Sequence, residues 1–273
     1  VLLDEPTAHL DSEGVHGLID VLTEGRSLGG SFLLSEQAGW RLANGVGSWS
    51  RLDGGRLASC ASPQRLQCNE PRPAGRAVVL ATRGLAVDRG GYRLLEDVDL
   101  EIRAGEIVLL SGANGTGKST LAHVLAGLQK SAAGALTRAG RVALMLPSAE
   151  LQLFAGTVAG EVAAADRTHV ETARVLRRHR LERFAARAPW TLSRGERQRL
   201  VHAALDLMRP ELMIVDEPGQ GLDPEDLTAF VRLRHRRAEK GRAYLVISHR
   251  RELVSAAHRH IRIAAGHIEE AAP

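Results

Sequence analysis

The sequence predicts an α/β fold in which helices flank a mostly parallel sheet. Three features predict it: apolar runs of strand length at residues 107–110 and 212–215, apolar positions at helical spacing after each run, and a glycine-rich loop between the first run and its helix. An uninterrupted apolar run is typical of a strand that is covered on both faces, as in parallel sheets. The helices that follow such strands supply that cover.

The composition excludes several classes of protein. Of the 273 residues, 44% are apolar and 25% are charged, which excludes wholesale disorder. No stretch approaches the roughly 20 uncharged residues that a membrane span requires. The start of the sequence has no basic-then-apolar signal pattern, and two cysteines do not make a disulfide scaffold. We therefore expect a soluble intracellular protein.

The charge balance is mild, with 36 basic and 32 acidic residues and a formal net charge of +4. Basic residues cluster at 174–187 and at 232–237, where they alternate with apolar residues and Glu. A nucleic-acid-binding protein concentrates its positive charge on one face, which this pattern does not indicate. We interpret both clusters as solvated helix faces and expect no nucleic-acid partner.

The beginning of the chain repeats a later part of it. The first eleven residues, VLLDEPTAHLD, match MIVDEPGQGLD from residue 213, and the likeness continues to residues 57 and 268. A strand–helix–strand fragment cannot cover both faces of its own sheet. We therefore expect residues 1–57 to be the C-terminal part of a first domain in a longer tandem protein. Residues 58–76 are predicted to be a linker, and 77–273 a second, nearly complete domain.

The glycine-rich loop has the spacing of a phosphate-binding loop. Residues 112–119 read Gly-Ala-Asn-Gly-Thr-Gly-Lys-Ser, between a predicted strand and a predicted helix. In such a loop the backbone N–H groups and the helix N terminus surround phosphate oxygens. Lys118 is placed to contact the β- and γ-phosphates, and Ser119 to coordinate Mg²⁺. The predicted nucleotide-binding residues of this loop are Gly112, Asn114, Gly115, Gly117, Lys118, Ser119 and Thr120.

A second apolar run ends in two acids. Asp216 follows the strand 212–215 and is placed to hold Mg²⁺, directly or through water. Glu217 is placed to polarise a water that attacks the γ-phosphate. Taken alone, the pair is equally consistent with a strand that ends at the solvent. The phosphate-binding loop upstream favours the catalytic interpretation.

Further motifs make the chain resemble the ABC ATPases. Residues 192–196, Leu-Ser-Arg-Gly-Glu, resemble the LSGGQ signature; residues 221–223, Gly-Leu-Asp, resemble the D-loop; and His249 resembles the switch histidine. The resemblance covers residues 77–273. It implies a P-loop ATPase that uses ATP and Mg²⁺, with an antiparallel β subdomain and a small helical subdomain beside the parallel sheet.

The resemblance also implies roles for individual residues. Glu217 and His249 would be catalytic, and Ser119 and Asp216 would hold Mg²⁺. Outside the phosphate-binding loop, the implied nucleotide-binding residues are Tyr92, Ser193, Gly195, Glu196 and Asp223. Residues 1–57 resemble the last third of another such ATPase, in which the equivalent residues are Asp4, Glu5, Asp11 and Glu36.

Residues 142–158 carry a narrower resemblance. They read VALMLPSAELQLFAGTV and are similar to a segment of the energy-coupling factor ATPases, which drive the uptake of vitamins and metal ions. The matching residues are Gln152-Leu153-Phe154 and Thr157-Val158. This resemblance implies separate transmembrane transporter subunits as partners. It also implies a cytoplasmic protein, peripheral on the inner face of the cell membrane.

In this family two ATPase units face each other head to tail, and each ATP lies between the P-loop of one unit and the signature of the other. The resemblance therefore implies that the site of Lys118 is completed by the first-half ATPase domain of the full-length chain. The signature of that domain would lie before Val1. We expect the chain by itself to bind MgATP and to hydrolyse it weakly, unless two copies pair.

Three residues depart from the family's pattern. Pro147 stands where the glutamine of the Q-loop is expected, and proline has no side-chain amide. Arg194 replaces the first glycine of the signature. Glu36 falls where the first unit should have its switch histidine, and a carboxylate there repels a γ-phosphate. We predict two unequal ATP sites from these departures.

Two other functions stay open at this point. Tandem ABC ATPases also act on ribosomes or DNA, but those proteins usually carry a long charged linker or a coiled-coil insertion, which residues 58–76 do not resemble. A regulatory nucleotide-binding module with little turnover is favoured by Pro147 and Glu36 and opposed by Glu217 and His249.

Overall fold

The computed structural model describes residues 1–7, 10, 12–36, 42–43, 45–53, 55–61, 75, 77–166, 171–218 and 224–271. The chain divides into two compact units. One comprises residues 1–67 with 221–228, and the other comprises residues 68–220 with 229–273. The division after residue 67 falls within the predicted linker.

The first unit contains a small parallel sheet, one helix and a hairpin. Its elements are β1 (Leu2–Asp4), α1 (Ser12–Ser27), β2 (Leu33–Ser35), β3 (Trp49–Asp53) and β4 (Arg56–Cys60). β1 pairs in parallel with β2, and β3 pairs with β4 in an antiparallel register from Trp49 opposite Cys60 to Asp53 opposite Arg56. The hairpin therefore continues to Cys60, three residues into the predicted linker.

The rest of the chain carries most of the regular structure. Its strands are β5 (Val78–Arg89), β6 (Tyr92–Arg103), β7 (Ile107–Gly112), β8 (Ala133–Arg138), β9 (Val142–Met145), β10 (Leu212–Asp216), β11 (Ala243–Ile247), β12 (Arg259–Ala264) and β13 (His267–Glu270). Its helices are α2 (Lys118–Ala126), α3 (Val158–Ala165), α4 (Thr172–Arg178), α5 (Arg194–Leu207) and α6 (Pro224–Ala238). Short 3₁₀ helices lie at Ala149–Gln152, Glu182–Phe184, Pro189–Thr191 and Arg251–Ala256.

A six-stranded sheet forms the centre of the second unit. Its strand order is β13-β12-β7-β11-β10-β9, and only β13 runs antiparallel to its neighbour. Every residue of β10 and β11 is buried, as expected for strands covered on both faces. The order places the ends of β7 and β10 on the same edge, with β11 between them, so that the loops after these strands meet.

Two further groups of elements complete the second unit. β6, β5 and β8 form an antiparallel sheet, which shares a core with α2 and one face of the central sheet. α3, α4 and α5 share a separate core of apolar side chains that includes Val162, Leu176 and Leu200. The predicted fold class, with a mostly parallel sheet, an antiparallel β subdomain and a small helical subdomain, is confirmed.

The helices of the protein are short. α1 has 16 residues and α6 has 15. Among the residues that the structure describes, no helix is long and apolar enough to cross a bilayer.

Candidate functional site: a phosphate-binding loop and two acids

The loop between β7 and α2 is built from glycines whose backbone other residues rarely adopt. Gly112, Gly115 and Gly117 have φ of 147°, 81° and 98°. A Cβ atom on Gly117 would lie 3.2 Å from the Cβ of Leu94, so this position needs glycine for its space as well as its conformation. Gly117 also precedes α2, whose N terminus has no side-chain hydrogen-bond cap. The N–H groups at this end of the helix are therefore suited to an anion.

Lys118 is held within the loop that it belongs to. Its ammonium group donates to the carbonyl oxygens of Gly112 and Ala113, at 2.9 and 2.7 Å. Burial lowers the pKa of Lys118, while the neighbouring acids Glu217 and Asp216 raise it. The cation thus lies between the loop carbonyls and two carboxylates, at the position from which a P-loop lysine contacts phosphate.

Asp216 ends β10 next to the start of α2. Burial raises the pKa of Asp216 above its ordinary value, and a hydrogen bond with Ser119 opposes that shift. One carboxylate and one hydroxyl are a set that suits Mg²⁺ bound together with nucleotide phosphates, because this ion keeps waters and needs few protein ligands. Lys118, Ser119 and Asp216 therefore fit MgATP, and the ion would neutralise charge on the β- and γ-phosphates.

Glu217 lies beside this pair with both of its carboxylate oxygens in contact. Its Oε1 is 3.0 Å from Nδ1 of His249, and its Oε2 accepts a hydrogen bond from Oγ of Ser248 at 3.3 Å. The backbone of Glu217 has φ of 50°, and its N–H donates to the carbonyl of Ile247 at 2.9 Å. The structure thus brings together five predicted residues: Lys118, Ser119, Asp216, Glu217 and His249.

The predicted signature residues form a second group, at the N terminus of α5. Ser193 caps the helix, since its hydroxyl accepts from the N–H of Glu196 and the Glu196 carboxylate accepts from the N–H of Ser193. Gly195 is buried, whereas Ser193 and Arg194 are exposed. Glu196 therefore orders this helix end, a role in the chain's own fold that the sequence argument did not assign to it.

The remaining predicted positions are spread over the chain. Asn114 is exposed in the loop, and Thr120 is buried in the first turn of α2. Tyr92 begins β6 and is 78% exposed, so its ring is open to stacking. Asp11 and Asp223 lie outside the described residues.

The acids of the first unit repeat the geometry of Glu217, with one shift. Glu5 has φ of 44° and donates its N–H to the carbonyl of Ser35 at 2.8 Å, as Glu217 does to Ile247. Asp4 pairs with Ser35 in register, as Asp216 pairs with Ile247. Glu36 is therefore equivalent to Ser248. The position equivalent to His249 is residue 37, which lies outside the described residues.

Register gives the reason for this shift from the sequence alignment. The paired residues are equally far apart in the two copies, Asp4 from Ser35 and Asp216 from Ile247, so the copies correspond without a gap. A comparison of short apolar strings instead places a gap of one residue between them and so moves Glu36 by one position. The side chain of Glu36 accepts from the N–H and the hydroxyl of Thr7, at 3.2 and 2.6 Å. It thereby closes the loop that follows Glu5.

The segment after β9 contains a contact that the sequence argument missed. Pro147 is partly buried there, and Gln152 bonds back to the strand: its amide donates to the carbonyl of Leu144 at 2.9 Å and accepts from the N–H of Leu146 at 2.7 Å. The amide of Gln152 closes the loop that contains Pro147.

Glu161 fixes the next few residues. It is buried, and its carboxylate accepts from the N–H groups of Phe154 and Ala155, at 2.8 and 2.7 Å. Charge-assisted bonds of this kind hold backbone firmly. The ring of Phe154 is nevertheless 86% exposed, and Leu151 close by is 65% exposed. The segment therefore presents an ordered apolar surface.

The prediction that residues 232–237 form a solvated face is wrong for Arg234. Its side chain is buried, with its guanidinium 3.8 Å from the ring centre of Phe230 and 5.9 Å from that of Tyr244. The same guanidinium contacts the ring nitrogens of His202. Arg234 follows Phe230 by four residues, so it continues the apolar stripe of α6.

A buried acid lies beside this arginine. Burial by itself would raise the pKa of Asp206. The hydrogen bond with His179 and the charges of Arg234 and Arg237 outweigh burial and hold this pKa far below its ordinary value. Burial and the guanidinium of Arg234 lower the pKa of His202 well below its usual value. This network connects α5, α6 and the residue that ends α4, far along the chain from the phosphate-binding loop.

An α/β domain with this loop, two acids after a strand of the same parallel sheet and an exposed capped helix is a P-loop nucleotide-binding domain. Residues 95–220 match the family described as ABC transporter. The chain is 37% identical to a zinc import ATP-binding protein of Cereibacter sphaeroides, over 66% of this chain and 76% of that protein. The chain therefore belongs to the ABC transporter family of ATP-binding proteins.

Two further comparisons agree with that family. An energy-coupling factor transporter ATP-binding protein of Methanothermobacter thermautotrophicus is 31% identical over 60% of each chain. A solved ATP-binding subunit of an ABC transporter superposes with a TM-score of 0.64 at 25% identity, covering 70% of this chain and 90% of that one. The chain spans 40% to 62% of the length of three longer curated relatives.

Proposed function

We propose that this chain hydrolyses MgATP to energise the uptake of a vitamin or a metal ion through separate transmembrane subunits. The observation that carries the proposal is the geometry at the end of β10. Asp216 bonds Ser119, and Glu217 is held through both carboxylate oxygens beside it. The two acids thus have different environments: Asp216 is suited to bind a metal ion, and Glu217 is suited to bind a water molecule.

Each residue of the site has one task in this proposal. Lys118 and the N–H groups of the loop bind the β- and γ-phosphates. Ser119 and Asp216 hold Mg²⁺. Glu217 orients a water molecule and accepts its proton while the water oxygen bonds the γ-phosphorus and the bond to ADP breaks. His249 lies 3.0 Å from Glu217, within reach of the same phosphate.

A second ATPase unit completes the site. Ser193 is exposed at the start of α5, which suits a phosphate bound by a facing unit rather than by this one. Residues 1–57 repeat the last part of such a unit, in which Asp4 and Glu5 correspond to Asp216 and Glu217. The shared strand register and backbone conformation of the two copies support this assignment.

The exposed pair Leu151 and Phe154 is the surface that we assign to the transmembrane subunits. Exposed apolar groups that are held in one conformation are typical of protein interfaces. The names of two relatives, a zinc importer and an energy-coupling factor transporter, support import as the direction. The chain would then work at the inner face of the cell membrane.

Coexpression with transmembrane subunits of energy-coupling factor type tests this proposal. Vesicles that contain the complex and internal MgATP should accumulate a labelled vitamin or metal ion, and a complex with Glu217→Gln should not. The variant is the matched control, because the carboxamide of glutamine has the shape of the carboxylate but cannot act as the base. Uptake that is the same with both chains would refute the proposal, and so would a chain that turns over ATP but never joins membrane subunits.

A further inference from the structure

Ser248 is the first residue after β11, and its hydroxyl is buried next to the proposed catalytic acid. The residue is 1% exposed. Its N–H donates to the carbonyl of Leu110 at 3.1 Å, on the strand that leads into the phosphate-binding loop. The backbone of Ser248 is therefore tied to the element that carries Lys118.

The hydrogen bonds around this hydroxyl fix the direction of its proton. The N–H of Arg250 donates to Oγ of Ser248 at 3.2 Å, and Oγ lies 3.3 Å from Oε2 of Glu217. A serine hydroxyl has one proton to donate. Because the Arg250 amide supplies a proton to Oγ, the hydroxyl proton is directed to the carboxylate of Glu217.

The other carboxylate oxygen of Glu217 contacts His249, which is more exposed than Ser248. His249 contacts Oε1 with a side chain that is 38% exposed, and in the proposed mechanism it reaches the γ-phosphate. A histidine that turns to phosphate no longer holds Glu217. Ser248 is enclosed and anchored on both sides, so its contact can persist when that of His249 is lost.

We infer that Ser248 is a positioning residue for Glu217: its hydroxyl holds the carboxylate in the orientation that activates water. The inference rests on the proposed ATP hydrolysis and adds a residue to it. The first unit offers a contrast, since the residue equivalent to Ser248 by register is Glu36. The carboxylate of Glu36 accepts from the N–H and the hydroxyl of Thr7.

Steady-state ATP hydrolysis by the whole chain tests the inference. We expect Ser248→Ala to lower kcat about tenfold, because the variant loses the hydrogen bond to the charged carboxylate of Glu217. KM for MgATP should stay unchanged, because this bond acts in the activation of water and not in the binding of the nucleotide. Ser248→Thr, which keeps the hydroxyl, should stay within about twofold of the parent. In a Glu217→Gln background, Ser248→Ala should change the single-turnover rate less than about twofold, since the two residues act as a unit.

Thr82→Val is the matched control for loss of a buried hydroxyl. Thr82 is 3% exposed and bonds the backbone of the antiparallel sheet through Val98 and Leu100. This variant should lose stability and keep its kcat. Equal losses from Ser248→Ala with and without Glu217→Gln would overturn the inference, even if Ser248→Thr fails to fold. A parent chain without any turnover would overturn the proposed function, and this inference with it.

Discussion

Glu5 and Glu217 share one backbone conformation, with φ of 44° and 50°, and each donates its N–H to the carbonyl of the adjacent parallel strand. A positive φ is uncommon for a residue other than glycine and persists where the surrounding structure imposes it. In both copies the turn ends a strand immediately after an aspartate. The same local device therefore directs both glutamates away from the line of their strands.

Glu217→Gln should lower the rate of ATP hydrolysis by about 10²- to 10³-fold, because the amide cannot accept the proton of water. Binding of MgATP should be retained. Glu5→Gln is the matched control, since Glu5 has the same backbone but residues 1–57 contain no phosphate-binding loop. Single-turnover assays with both variants decide the matter, and equal losses would contradict unequal sites.

Lys118→Met should abolish nucleotide binding, because it removes the cation that is held at the loop. Methionine keeps an unbranched side chain of similar length. Isothermal titration with MgATP measures the loss, and Lys130→Met serves as the matched control for loss of a lysine charge. The fold should survive, since the ammonium of Lys118 bonds the carbonyls of Gly112 and Ala113 within its own loop. Undiminished binding by the Lys118 variant would refute the assignment of the loop.

The specific activity of the chain should rise with its concentration. In the proposed head-to-tail arrangement Ser193 and Lys118 of one unit serve different ATP sites, so turnover by this chain should require another copy to supply a signature. Assays from nanomolar to micromolar chain, with light scattering in parallel, test this expectation. A specific activity that does not vary with concentration, from a chain that stays monomeric, would contradict it.

Phe154→Ala should weaken assembly with the transmembrane subunits at least tenfold and leave the basal ATP hydrolysis unchanged. Its ring is 86% exposed, whereas its backbone is fixed by Glu161, so the substitution removes surface and not support. Trp190→Ala is the matched control, because that side chain is 69% exposed but lies outside the segment of Leu151 and Phe154. Equal assembly by the parent and Phe154→Ala would count against this surface.

The stability of the chain should fall as the pH falls from about 7.5 to 5.5. Burial and nearby positive charge lower the pKa of His202, and burial lowers the pKa of His179. The unfolded chain, with histidines near pKa 6.5, then binds protons that the folded chain does not, so stability decreases by about 1.4 kcal/mol per pH unit for each such group below that value. The pKa of Asp206 is lowered in the folded chain, so its contribution to stability is lost only at a pH far below the range in which the histidines titrate.

Urea unfolding at three pH values measures this dependence. His202→Gln keeps a side-chain acceptor for Arg234 and removes one titrating group, so its stability should vary less steeply with pH than that of the parent. His16→Gln, on α1 and with an exposed side chain, is the control and should keep the parent's slope. A slope unaffected by His202→Gln would show that His202 is not the group responsible.

The sequence predicts those parts of the site that depend on local spacing. The glycines, Lys118 and Ser119 lie within one loop, and Asp216 and Glu217 directly follow an apolar strand. Their positions follow from short-range geometry, and the structure places them together. His249 could be assigned because it also follows a strand of the same sheet.

What the sequence does not predict depends on contacts between distant segments. The equivalence of Glu36 is set by pairing between two strands that are about thirty residues apart, and one residue of slip changes it. Arg234 lies in a segment whose basic residues are typical of a solvated helix face. Its spacing of four residues from Phe230 nevertheless places its side chain on the buried face of α6. Ser248 carries no motif of its own, and only the fold shows that its hydroxyl reaches Glu217.

The bonds of Lys118 to Gly112 and Ala113 have a consequence for nucleotide exchange. The ammonium already has two protein acceptors, so an arriving phosphate competes with carbonyl groups and not with water alone. The lysine exchanges these two bonds for a phosphate and regains them when the ligand departs, so that its charge keeps partners in the empty loop as well.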